Sequence, residues 1–196
     1  MKVVVLKYNA GNIRSVLFAL ERLGIEAVVT DKTEEILSAD RVIFPGVGEA
    51  STAMNYLKQN QLDLLIPSLK QPVLGICLGM QLMCSFSEEN NTTCLGIFDE
   101  KVKHFPTNEN FKVPQMGWNN IFQLSGPLFD GIKENSFVYF VHSYYVELSS
   151  NTTAVANYIF NFSASLQKNN FFAVQFHPEK SGEIGQKMLE NFLNIC

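Results

Sequence analysis

The chain has 196 residues, of which 46% are hydrophobic and 17% charged, with 15 Lys plus Arg against 19 Asp plus Glu for a net charge of −4. That length suits one domain, taken as residues 1–196, and a chain of this size buries about 70% of its surface without disulfide or metal staples. The apolar fraction excludes wholesale disorder, and the acidic balance argues against nucleic acid or an anionic membrane as partner.

Val3 to Leu6 is a continuous apolar run, as expected for a parallel strand buried on both faces. Asn12 can cap a helix whose apolar positions Ile13, Val16, Leu17, Leu20 and Leu23 follow helical spacing, and Gly24 stops it. A second strand is expected at Glu26 to Thr30, and a third, Val42 to Phe44, ends at Pro45-Gly46-Val47-Gly48. A helix starts near Glu49, and Pro72 to Leu74 reads as the next strand. Strands alternating with helices indicate a parallel sheet.

From Gly96 onward the segments are short and aromatic: Ile97 to Phe105, Trp118 to Phe122, Phe137 to Val146, Thr153 to Phe160 and Phe171 to Phe176. They read as an antiparallel or mixed extension of the same sheet. A last helix fits Ser181 to Leu193, with Ser181 as N-cap and Ile184, Met188, Leu189 and Phe192 on one face. Ser87 to Thr93 looks like an exposed loop. The fold class is therefore α/β, a central mostly parallel twisted sheet with flanking helices and a mixed or antiparallel extension in the second half.

The start of the chain is too soon interrupted at Lys7 for a signal peptide, and no run of about 18 apolar residues would cross a membrane. Cys77, Cys84, Cys94 and Cys196 match no zinc spacing, and His104, His142 and His177 are scattered. The expectation is a soluble cytoplasmic protein with free thiols and neither metal nor cofactor. The sequons at Asn91, Asn151 and Asn161 read as coincidences.

Gly75-Ile76-Cys77-Leu78-Gly79 follows a strand and opens a helical pattern, the cysteine version of a nucleophile elbow. Glycines are needed there because flanking side chains would collide in a strained strand-to-helix turn. The turn sets the sulfur at a helix N-terminus, which favours thiolate. An isolated Cys is more often a buried packing residue, but here both glycines and both flanking elements agree.

A nucleophilic Cys needs a base held by a third group. In Phe176-His177-Pro178-Glu179, Pro178 biases His177 toward extended geometry, where residues i and i+2 point the same way. Glu179 can then orient the imidazole of His177. Cys77 and His177 both lie at expected C-terminal strand ends, the edge where open α/β sheets collect their active sites. His104 reads as a surface residue and His142 as a shaping one. For an oxyanion hole, Gly46, Val47 and Gly48 end a neighbouring strand, and the backbone N–H of Leu78 is the second donor.

These motifs resemble the triad (class I) glutamine amidotransferases: P-G-V-G at 45–48, G-I-C-L-G-M-Q at 75–81 and Q-F-H-P-E-K-S-G at 175–182. Within that family the chain is most similar to the glutaminase subunit of imidazole glycerol phosphate synthase, through G-N-I-R-S-V at 11–16, V-P-Q-M-G-W-N at 113–119 and Y-F-V-H-S-Y-Y at 139–145. The resemblance covers nearly the whole chain. It implies hydrolysis of glutamine to glutamate and ammonia through a Cys77 thioester, with His177 shuttling protons and Glu179 orienting it. It implies that Gln81, Ser143 and Tyr144 hold the amino-acid end of the substrate. It also implies a heterodimer with a (βα)8-barrel cyclase subunit that receives the ammonia for histidine biosynthesis. Asn12, Arg14, Met116, Trp118 and Tyr139 would belong to the docking face.

Two positions depart from the family's pattern: Lys7-Tyr8-Asn9 stands for D-Y-G, and Gln115 stands for a His. Neither touches the triad, and both are expected near the partner face. They leave open a paralogue feeding ammonia to a related synthase, such as one making amidino-modified sugars. A thiol sensor on the same fold, or a stand-alone cysteine hydrolase of peptides or esters, is the remaining alternative. A sensor has no requirement for His177-Pro178-Glu179, and a stand-alone enzyme has none for the Trp118 and Tyr139 cluster.

Overall fold

Short apolar runs with side chains buried in both directions can only be the middle of a layered structure, and the first half of the chain supplies them. The computed structural model describes residues 1–9, 12–107 and 109–195, so Gly11 and Cys196 lie outside the described residues. In chain order, β1 (Val3–Leu6), α1 (Ile13–Arg22), β2 (Val28–Thr30), α2 (Thr33–Leu37) and β3 (Arg41–Phe44) come first. They are followed by α3 (Ala50–Gln59), α4 (Leu62–Ser68), β4 (Val73–Ile76) and α5 (Leu78–Met83). The second half adds β5 (Phe86–Ser87), β6 (Thr92–Thr93), β7 (Lys101–His104), β8 (Gln115–Phe122) and β9 (Ser136–His142). It closes with β10 (Tyr144–Val146), β11 (Thr152–Asn157), β12 (Asn161–Lys168), β13 (Phe171–Val174) and α6 (Gly182–Asn194).

Nine strands form one sheet in the order β2-β1-β3-β4-β13-β12-β11-β8-β9. The five from β2 to β13 pair in parallel, and the remaining pairings are antiparallel. Alternation along each strand divides the core between the two faces. Val4, Leu6, Val42, Phe44 and Ala173 pack with Ile36, Leu57, Ile66 and Met80 of α2 to α5. Val3, Val5, Ile43, Leu74 and Val174 pack with Val16, Leu20, Met188 and Phe192 of α1 and α6. The expected α/β class and parallel centre hold.

Three expectations are corrected. The aromatic second half does not all extend the main sheet, because β10, β7, β5 and β6 form a separate four-stranded sheet. The run Phe137 to Val146 is accordingly two strands: it leaves the main sheet after His142, turns at Ser143 and enters the small sheet at Tyr144. Ser87 to Thr93 is exposed at Glu88, Asn90, Asn91 and Thr93 as expected, but it is not a plain loop. It is the β5–β6 hairpin, with Ser87 and Thr92 buried and Thr92 Oγ1 donating to Glu89 O at 2.6 Å.

The two expected caps also fail as caps, for one reason: each side chain is engaged elsewhere. Asn12 sits before α1 at φ 70° without capping it, and Ser181 precedes α6 but donates its hydroxyl to His177 O at 2.6 Å. Phe140 and Phe176 are core residues as expected, whereas Phe122 is half-buried. Among the described residues no helix is long and apolar enough to cross a membrane.

The backbone of α6 lies directly on the segment that carries His177. A Cβ on Gly185 would stand 1.9 Å from Pro178 O and 2.8 Å from Ser181 Cβ. Gly185→Ala must push helix and segment apart, and the expected loss is at least about 2 kcal/mol of stability. Urea unfolding checks this, and an unchanged midpoint would show that the helix shifts freely.

Candidate active site

Three strands of the main sheet, β3, β4 and β13, end side by side, and the segments that follow them carry the site. At the end of β4 the chain turns into α5 through Cys77, whose backbone stands at φ 52°, ψ −107°. Such a conformation costs of order 1–3 kcal/mol and persists only where its surroundings over-determine it. The surroundings here are two glycines. A Cβ on Gly79 would lie 1.9 Å from the Phe44 carbonyl at the end of β3, and one on Gly75 would lie 2.9 Å from the sulfur of Met83. The sequence motif is thus a packing requirement.

Cys77 Sγ sits on the wall of a cavity of about 260 Å³ that Val47, Gly48, Leu78, Gln81, Ser143 and Tyr144 help to enclose. The cavity therefore brings together most of the residues expected for the oxyanion and substrate roles. Gly46 is buried and does not line it, and Tyr8 is hydrogen-bonded to the neighbouring Pro45 carbonyl. One expected donor is occupied in this structure: the N–H of Leu78 donates to Gly46 O at 3.3 Å. That carbonyl sits where an oxyanion would need Leu78, so the loop as it stands is closed to that use.

Beneath the cavity, His177 Nδ1 is 2.7 Å from Glu179 Oε1, and both side chains are buried. Asn12 Nδ2 donates to the same oxygen at 2.5 Å. The i, i+2 geometry expected of the His-Pro-Glu run is realised, although Pro178 to Lys180 is one turn of 3₁₀ helix rather than extended chain. His177 Nε2 is buried without a partner in hydrogen-bond geometry. The sulfur beside it is aligned elsewhere, toward Val141 O at 3.8 Å and Gln175 Nε2 at 3.6 Å. Burial works against a charged imidazole, but the charge and proximity of Cys77, then Glu179, outweigh it and push His177 up to about 10. At that value the ring keeps its proton throughout the neutral range.

His142 is tuned the other way. Burial pulls it down to about 4, opposed by the Tyr144 carbonyl and reinforced by the charge on His177. Its Nδ1 donates to Tyr144 O at 2.6 Å, clamping the turn at Ser143, and its Nε2 faces the Gln115 side-chain amide at 3.1 Å. A neutral ring with Nδ1–H offers Gln115 only a lone pair, so the amide must present its NH2 group there. Of the two departures from the family's pattern, Gln115 is buried, while Lys7 and Asn9 are exposed.

The pattern gives no sign of Glu89 as a site residue. It lines the same cavity as Cys77, and its Oε2 accepts the Ala50 N–H at the start of α3 at 2.7 Å. Its neighbours in sequence, Ser-Glu-Glu-Asn-Asn, read as a solvated turn, and only the hairpin that folds beside the cavity reveals it. Of the expected docking residues, Arg14, Met116 and Trp118 are exposed, and the Trp118 and Tyr139 rings meet edge to face at 6.1 Å. Asn12 is turned inward to Glu179.

A glutamine amidotransferase class-I family model matches residues 4–196, and the chain belongs to that family. Among its relatives, imidazole glycerol phosphate synthase subunit HisH of Bacteroides fragilis is 61% identical over 196 residues, all of each chain. The protein of the same name from Haemophilus influenzae is 47% identical over 194 residues, 98% of this chain and 97% of the relative. Solved structures share the fold. PurLQS from Thermotoga maritima superposes with a TM-score of 0.74 at 19% identity, covering 98% of this chain and 97% of the other. A further glutamine amidotransferase gives 0.75 at 19% identity, covering 97% and 96%.

The neutral His142 has a consequence for acid stability. Its value in the folded chain lies below the unfolded value of about 6.5, so the unfolded chain binds the extra proton first. The stability it contributes is full above about 6.5 and is lost as the pH falls toward 4, by on the order of 3 kcal/mol. Urea unfolding at pH 7 and pH 4.5 should show this loss, and His142→Asn should flatten it. An equal acid loss in the variant would assign the effect to other groups.

Proposed function

We propose that this chain is the glutaminase subunit of an imidazole glycerol phosphate synthase, hydrolysing glutamine to glutamate and ammonia for histidine biosynthesis. The observation that carries the reading is the convergence of Cys77, His177 and Glu179 at the C-terminal edge of β4 and β13, with a cavity that Cys77 lines. The family membership and the full-length likeness to subunit HisH of two bacteria supply the reaction class.

In this reading Cys77 attacks the side-chain carbonyl carbon of glutamine. The C–N bond breaks as imidazolium His177 gives its proton to the leaving nitrogen, and ammonia departs from a glutamyl thioester. His177, now neutral, takes a proton from water as that water attacks the thioester, and glutamate leaves with the thiolate restored. Glu179 stabilises the charged ring and fixes its tautomer through Nδ1. Gln81, Ser143 and Tyr144 hold the amino-acid end of the substrate, and Glu89 supplies the negative charge that its ammonium group needs. The Gly46–Gly48 loop must turn its carbonyl off the Leu78 N–H before that donor can meet an oxyanion. The resting chain is therefore a poor catalyst by itself.

A (βα)8-barrel cyclase partner would dock on the face of Arg14, Met116, Trp118 and Tyr139 and receive the ammonia. Met116 and Trp118, at 67% and 57% exposure, are large apolar side chains that a partner would cover. The reaction proposed requires neither cofactor nor metal and belongs in the cytoplasm.

Glutamine turnover by the isolated chain should be slow and rise sharply with a barrel cyclase and its ligand, measured as glutamate release. Robust turnover without a partner would count against the heterodimer. Cys77→Ala should lose at least about 10³-fold in turnover while still binding the partner, and Glu179→Gln about 10²-fold. Unchanged turnover in Cys77→Ala would refute the assignment of the nucleophile.

A further inference from the structure

Gln175 is a polar side chain with no exposed surface, and the steps above make no use of it. The parallel pairing of Val174 with Ile76 carries one residue further, so Gln175 stands beside Cys77 where both strands end. Its Oε1 accepts from Gln81 Nε2 at 3.0 Å, and its own Nε2 donates to Cys77 Sγ at 3.6 Å. The shape of an amide does not tell its oxygen from its nitrogen, so the network must. Here it does. Gln81 Nε2 also faces the backbone carbonyl of Tyr144 at 3.4 Å, and a backbone carbonyl can only accept. Gln81 must therefore point its NH2 group that way, which obliges Gln175 to offer Gln81 its oxygen. The NH2 group of Gln175 is left facing the sulfur.

We propose that Gln175 is a positioning residue that holds Cys77 in its thiolate form by an N–H···S hydrogen bond, with the donor's direction fixed by the row Tyr144–Gln81–Gln175. This rests on the reading of Cys77 as nucleophile. A donor aimed at sulfur favours the anion over the thiol, because hydrogen bonds to the charged form stabilise it. The protonated thiol has a different partner, Val141 O at 3.8 Å, so the two protonation states have separate partners. Gln81 also lines the cavity, so a substrate that touches it polarises the same row.

The test is the pH profile of Cys77 alkylation by iodoacetamide in the full chain, read on the Cys77 peptide by mass spectrometry. Two variants serve, with thermal melts as the check on folding. Gln175→Met removes the donor and the acceptor at similar volume. Gln175→Glu keeps the acceptor for Gln81, removes the donor and sets a carboxylate charge beside the sulfur, which adds to the loss. At pH 7 the alkylation rate should fall about tenfold in Gln175→Met and at least as far in Gln175→Glu, with all three chains converging at alkaline pH. With a cyclase partner present, kcat for glutamine should fall more than KM rises. A packing role alone would leave the shape of the profile unchanged. A folded Gln175→Met with the parent profile overturns the proposal, and if that variant does not fold, an unchanged profile in Gln175→Glu does so. Failure of the underlying reading looks different: the parent Cys77 would then resist a glutamine-analogue electrophile such as diazo-oxo-norleucine.

Discussion

The site depends on the level at which three parallel strands end. Phe44 is paired with Gly75, and Ile76 with Val174, so the residues just beyond these pairs emerge on one rim. Gly46, Cys77 and Gln175 are those residues or their immediate successors. The fit leaves no margin: the Gly79 backbone touches the Phe44 carbonyl so closely that the smallest side chain would strike it. That contact holds the elbow in its positive-φ conformation. The strain at Cys77 is thereby carried by the sheet as a whole and not by the few residues of the turn.

Charge in the site is divided between two histidines by what each ring nitrogen meets. His177 meets a carboxylate, which Asn12 also holds, and lies beside the Cys77 sulfur; His142 meets a backbone carbonyl and an amide. Both rings are buried, so burial alone would neutralise both. Only the partners separate them, and the proton on His177 then makes a second one on His142 costlier. Environments that push two like groups apart are how acid and base roles become distinct within one cavity.

Much of this was legible in the sequence because the relevant signals are local. The doubly apolar strands, the glycine-flanked Cys77 and the His177-Pro178-Glu179 run each carry their geometry within a few residues. What escaped depends on long-range pairing. β12 looks like turn composition because of Ser163 and Ser165, yet both are buried, with hydroxyls donating to the carbonyls of Glu147 and Ala173. α2 and α4 are too short to show a helical period. Glu89 lines the cavity only because a hairpin folds beside it, and Gln175 meets Cys77 only because two distant strands share a register. Asn12 has the sequence mark of a helix cap, but its amide is drawn inward by a carboxylate 167 residues away.

The outer strand of the sheet is stitched to the segment behind it by its main chain. Tyr139 O accepts the N–H of His177 at 2.9 Å, and Tyr139 N donates to Ser181 Oγ at 3.0 Å, while the Tyr139 ring stands beside Trp118 at the surface. For anyone wishing to transplant this face onto another scaffold, the two are one module. A graft of β8 and β9 without residues 177–181 would strand two main-chain groups, and one with them would bring the imidazole along. Specificity for a new partner must therefore be written in side chains such as Met116 and Trp118, on a ribbon whose path is already committed.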